Sequence, residues 1–236
     1  MPYEIPPVGC EVRGADLSGR DLRDALAAPA LLRPRAFTDC DFHGADLRGA
    51  SLAEAVFTGC NLDSVRFDGA DLDGSQWEGG GAPGASFTGA ECSDASFTRV
   101  DLANTTWHRT LLTGTAFTGC RMTGASLSGC RGIGYTLAQC NLMLARLKGV
   151  RLRGQELRGL RLDDADLSRA DLRDTVWSDS RLRGAVLRGA DFGGADLRGA
   201  DIGTLDLADA PVLRGASISP DQAGELLANL GISVVR

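Results

Sequence analysis

Every fifth residue from Val12 to Val212 is large and apolar. Of these 41 positions, 38 are Leu, Phe, Trp, Val, Ile, Met or Cys, and only Ala27, Ala82 and Gly132 are small. All eight Phe and all three Trp (Trp77, Trp107, Trp177) fall on this register. The residue two before each large one is most often small, with 19 Ala and six of the seven Cys in that slot. Polar residues or Gly take most of the remaining positions. The unit reads A-D-L-R-G, as in Ala45-Asp46-Leu47-Arg48-Gly49 and again in Ala195-Asp196-Leu197-Arg198-Gly199.

A period of five matches neither a helix nor a strand. It matches a chain that turns a corner every five residues. The large residue and the small one two before it then point to the same side, as i and i+2 do in an extended segment. Four sides close a square coil of 20 residues. Stacked coils pair their backbones at about 4.8 Å. Corners need Gly or a polar residue for their turn dihedrals. Read in steps of 20, one side stacks Leu17, Phe37, Phe57, Trp77, Phe97, Phe117, Leu137, Leu157, Trp177 and Leu197. Its run of five aromatics predicts stacked rings in the core. Residues 25–36, 79–84 and 131–134 keep the phase and lose the pattern, so each reads as a bulged coil or a loop.

Beyond the coils, Ser219 is an N-cap with Pro220 at the first helical position. Ala223, Leu226, Leu227 and Leu230 follow at helical spacing, and Gly231 marks the stop. Ile232, Val234 and Val235 form an apolar tail. A solenoid needs its open end covered. This segment carries more aliphatics than one coil end should bury, which predicts a two-fold contact between two copies.

The A-D-L-R-G unit in 41 in-phase copies resembles the pentapeptide repeat family. That resemblance implies an all-β solenoid, a right-handed quadrilateral β-helix, over about residues 10–214. Residues 1–9 are then a lead-in, and 215–236 a capping and dimerisation helix with its apolar tail. The uninterrupted coils followed by a Ser-Pro-started helix resemble the quinolone-resistance subgroup. That likeness implies a non-enzymatic DNA mimic that binds a type II topoisomerase, DNA gyrase or topoisomerase IV. It would protect the enzyme from inhibitors, as in antibiotic self-resistance. It also implies a homodimer with Leu226, Leu227, Leu230, Ile232 and Val234 as contacts. The alternative is a pentapeptide-repeat scaffold for another protein partner.

Charge changes this picture. The chain carries 25 Lys+Arg against 31 Asp+Glu, a net charge of −6, which argues against a general nucleic-acid binder. Residues 36–106 hold 12 acids and 3 bases, residues 107–161 hold 9 bases and 1 acid, and residues 162–210 hold 11 acids and 6 bases. Asp63, Asp68, Asp71, Asp73, Glu78 and Glu91 are the candidate partner-binding acids, with Asp71, Asp73 and Glu91 expected on one side. Arg146, Lys148, Arg151, Arg153, Arg158 and Arg161 form a basic belt that a pure DNA mimic would not want.

Other chemistry is sparse. The cysteines sit in inward slots and favour buried free thiols; Cys40 with Cys60, or Cys120 with Cys140, are the pairs that coil spacing would bring within disulfide range. There is no CxxC pair with a nearby His for zinc, and neither His43 nor His108 has a nucleophile to activate. No catalytic residue, metal or cofactor is expected. The absence of a secretory signal or a long apolar run predicts a cytoplasmic protein outside the membrane.

Overall fold

In the computed structural model the described residues are 11–27, 35–204, 210–229 and 231–232. The chain winds into a four-sided parallel β-solenoid. One side forms a ten-stranded sheet in sequence order. Its strands are β1 (Glu11–Arg13), β2 (Ala36–Thr38), β3 (Val56–Thr58), β4 (Gln76–Glu78), β5 (Ser96–Thr98), β6 (Ala116–Thr118), β7 (Thr136–Ala138), β8 (Glu156–Arg158), β9 (Val176–Arg181) and β10 (Asp196–Asp201). The other three sides pair through single bridges at a step of 20, such as Asp41 with Asn61 and Asp71 with Glu91.

The core is the period-five register made physical. Phe42, Phe67, Phe87, Trp107 and Leu127 are all fully buried, as are the small residues Ala45, Ala70 and Ala95 beside them. Phe37, Phe57, Trp77, Phe97 and Phe117 stack along the first side with centroid spacings between 4.3 and 5.2 Å. These spacings match the coil repeat, so each ring meets its equivalent above and below. A second stack, Phe67, Phe87 and Trp107, runs up the third side and meets the first edge-on.

One column differs from the reading in steps of 20. Val12, not Leu17, lies under Phe37, because β1 pairs with β2 at a step of 25. Leu17 belongs to the second side, where Asp16 bridges Asp41. One extra pentad is therefore inserted between these coils. The phase also slips by one: Leu26 is fully buried and its carbonyl accepts from Ser51, while Ala27 is exposed. Most of residues 25–36 fall among the undescribed positions 28–34. Residues 79–84 are ordinary coil, with Gly81 bridging both Asn61 and Asp101. A Cβ on Gly80 would strike the Cys60 carbonyl, so glycine is required there.

The small slot does more than save space. Cys60, Cys120 and Cys140 donate their thiols to the carbonyls of Phe37, Phe97 and Phe117 in the coil below. Thr110, Thr115 and Ser180 make the equivalent bond to Phe87, Cys92 and Leu157. Each is an inter-coil bond that Ala cannot make. The six described cysteines are free, and Cys10 lies outside the described residues.

The far end is closed by a 3-10 turn, Ala210–Leu213, and a helix, α1 (Pro220–Ala228). Ser217 bridges Asp196, so backbone pairing continues past residue 214. Ser219 caps the helix as expected, and Gln222 completes a capping box. Gln222 is also buried over the last coil, donating to the carbonyls of Leu197 (2.8 Å) and Ala200 (2.6 Å).

Candidate functional site

Outward positions on each side are the residues flanking the large one and the corner after it. This sorts the candidate acids. Asp71 and Asp73 flank Leu72 on the fourth side, and Glu91 lies beside Cys92 one coil on. Glu54 and Asp94 join them from the corners of the same side, both at positive φ. The Asp71 carboxylate accepts the Asp73 amide at 3.2 Å, and the Asp73 carboxylate accepts the Ser93 amide at 2.7 Å. None of these five acids has an ion pair among the described residues. The result is a negative strip over three coils without an ion pair, in which the Asp71 and Asp73 carboxylates are fixed to backbone amides.

The other three candidates do not join it. Asp63 is on the second side, facing His43 at 3.6 Å. Asp68 is on the third side beside Arg66, and accepts the Ser86 hydroxyl. Glu78 is on the first side in contact with Arg99. The sequence groups these acids in one stretch of chain, but the square coil points them in different directions. Glu54 and Asp94 were missed because corner residues fit no outward-facing alternation; their spacing of two coils was the available signal.

The fourth side then changes sign. Its bridge column runs Ser51, Asp71, Glu91, Leu111, Arg131, and resumes with Arg151, Asp171, Asp191. The basic belt is likewise spread round the rod: Arg146 and Lys148 on the third side, Arg151 and Arg153 on the fourth, Arg158 on the first and Arg161 on the second. Arg153 pairs with Asp174 at 2.9 Å.

At the C-terminal end, Leu226 is half-buried and packs on the core, whereas Leu227 and Ile232 are exposed. Leu230 and Val234 lie outside the described residues. The sequence reading missed Gln222, a polar residue that anchors the cap more directly than the leucines. Among the described residues no group of His, Cys, Asp and Glu is placed to hold a metal, and no helix is long and apolar enough to cross a membrane.

Two family models match the chain. The pentapeptide repeats model matches residues 95–131, 145–176 and 165–202, and the pentapeptide repeat region model matches residues 33–107. No curated protein shows significant similarity. Among solved structures, a trypsin-treated variant of QnrB1, a plasmid-mediated fluoroquinolone resistance protein, is 24% identical with a TM-score of 0.60. That match covers 95% of this chain and 99% of that one. A second such variant is 21% identical with the same TM-score, covering 96% and 100%. At these identities the likeness is one of fold. With its period-five core, four-sided coils and matches across most of its length, the chain belongs to the pentapeptide repeat family and adopts that family's right-handed quadrilateral β-helix.

Proposed function

We propose that this protein is a non-enzymatic binding protein that presents a DNA-like acidic face to a type II topoisomerase, DNA gyrase or topoisomerase IV, and protects it from inhibitors. The observation that carries the reading is the fourth-side strip of Glu54, Asp71, Asp73, Glu91 and Asp94, unpaired and repeating at the coil spacing. A β-solenoid with anionic groups spaced at the coil repeat offers a basic DNA-binding saddle the charge it reads on a phosphate backbone. The end-to-end likeness to a fluoroquinolone resistance protein supports it. Self-resistance beside an antibiotic is the corresponding role. The cytoplasm, where topoisomerases work, is the corresponding location, and a dimer through the C-terminal segment would present two strips symmetrically.

The test is gyrase supercoiling in the presence of a fluoroquinolone, with and without this protein. The triple variant Asp71→Asn, Asp73→Asn, Glu91→Gln should lose protection while keeping its fold. Asp63→Asn and Glu78→Gln should protect as well as the parent. Protection by the triple variant equal to the parent's would overturn the reading. The unneutralised bases further along the rod favour a second reading, a scaffold for another protein partner. Pull-down that recovers a different partner and no topoisomerase subunit decides for it.

A further inference from the structure

Among the described coils beyond residue 35, the fourth-side core column loses its side chain at Gly132. Gly132 stands where its neighbours in the column are Leu112 and Leu152, and it cannot be anything larger. Its φ is +98°, and a Cβ would lie 2.7 Å from the Thr113 amide nitrogen. Tyr135, in a slot where Ala is the commonest residue, is fully buried. Its hydroxyl lies near the Cys130 thiol and the Arg151 backbone, without a hydrogen bond of proper geometry to either. Around this break is a hollow of about 600 Å³ at the corner of the third and fourth sides. That volume falls in the usual range for a small-molecule pocket.

The lining has one sign of charge. Arg131, Lys148, Arg151 and Arg169 all line it, with His108, and no Asp or Glu does. None of the four strong bases has an ion pair among the described residues. The nearby acid, Asp166, accepts the Ser168 amide and lies outside the lining. Arg131 is held in place by its Nε–H, which donates to the Arg109 carbonyl at 2.9 Å. His108 Nδ1 lies 3.4 Å from the Ser128 carbonyl. Of the four cations around this concave site only Lys148 feels an acid among the described residues, Asp166, which lies outside the lining, so together they repel one another and favour an anion. Arginine forks match the oxygens of a phosphate, and Leu127, Val150 and Cys130 supply an apolar wall.

We propose that this hollow is a binding site for a small phosphate-bearing anion, of the size of pyrophosphate or a nucleoside polyphosphate. It is separate from the acidic strip and would let such a ligand set the charge of the rod's middle section.

The proposal is tested by calorimetry and thermal shift on the full chain, with inorganic phosphate, pyrophosphate, ATP and a 20-base-pair DNA duplex as probes. Pyrophosphate or ATP should bind and protect Cys130 from a thiol reagent. The surface variant Lys148→Ala with Arg151→Ala should keep its fold and weaken binding about tenfold or more, as loss of charge-assisted hydrogen bonds requires. The variant Arg121→Ala, outside the lining, should bind as the parent does. Three results would each overturn the proposal: no binding of pyrophosphate or ATP at millimolar concentration, binding unchanged in the double variant, or binding of the duplex alone. The last would assign these bases to a nucleic-acid backbone. None of these results depends on whether gyrase is protected.

Discussion

The indole N–H of Trp107 donates to the Thr105 hydroxyl at 2.9 Å inside the core. The same relation joins Trp77 to Ser75 and Trp177 to Thr175. In each case the acceptor occupies the small slot two residues before the large one, where Ala is commonest. A buried indole needs an acceptor, and the only side chain pointing the same way within reach is that of i−2. Core composition is thus coupled within the repeat: tryptophan in the large slot requires a hydroxyl in the small one.

Thr105→Ala should therefore destabilise the protein by about 1–3 kcal/mol, although it installs the consensus residue. Thr105 also donates to the Leu102 carbonyl at 2.7 Å, which adds to the loss. In a Trp107→Phe background the same substitution should cost less, because no indole N–H is left unsatisfied. Denaturant melts of the four proteins measure the coupling. Equal costs in both backgrounds would show that the pairing contributes nothing.

The cysteines should react in order of burial. Burial pushes the Cys60 thiol up to about 11 and raises Cys92 further still. Little thiolate then exists at neutral pH. Cys130 is the half-buried one and also lies in the basic hollow. Peptide mapping after brief native labelling should find Cys130 modified first among the described cysteines, with Cys60 and Cys92 labelled only on unfolding. Labelling of Cys92 as fast as Cys130 would contradict the core placement.

Gln222→Ala should loosen the closed end. The side chain bonds two carbonyls of the last coil and accepts the Ser219 amide at 2.6 Å, so its loss leaves buried acceptors unsatisfied at the rod's end. The expected cost is about 1–3 kcal/mol. Hydrogen exchange should rise at residues 196–202 and stay unchanged near Phe97, because a solenoid loses stability locally. Uniformly faster exchange along the rod would count against a local cap.

The exposed Leu227 and Ile232 bear on assembly. If the C-terminal segment pairs two copies, Leu227→Asp with Ile232→Asp should give a monomer, since it would bury unpaired charges. Both side chains are exposed in the single chain, so the fold should hold. Light scattering on the parent protein at micromolar concentration comes first: a monomer there ends the dimer reading.

The period of five determined the architecture without help, because the same two slots in every five can be buried only if the chain turns at that interval. It determined the aromatic stack from Phe37 to Phe117 for the same reason: residues one coil apart must meet. The N-cap at Ser219 was legible because capping is local chemistry. Three features needed the tertiary structure. Val12 under Phe37 depends on an extra pentad that keeps the phase of five, so the pattern could not reveal it. Position modulo 20 already put Asp71, Asp73 and Glu91 on one side, but only the structure shows that no described arginine pairs with them while Arg66 lies beside Asp68 and Arg99 meets Glu78. The hollow at Gly132 arises from one missing side chain acting with bases contributed by three successive coils. A single glycine in the sequence carries no sign of which charges will surround it.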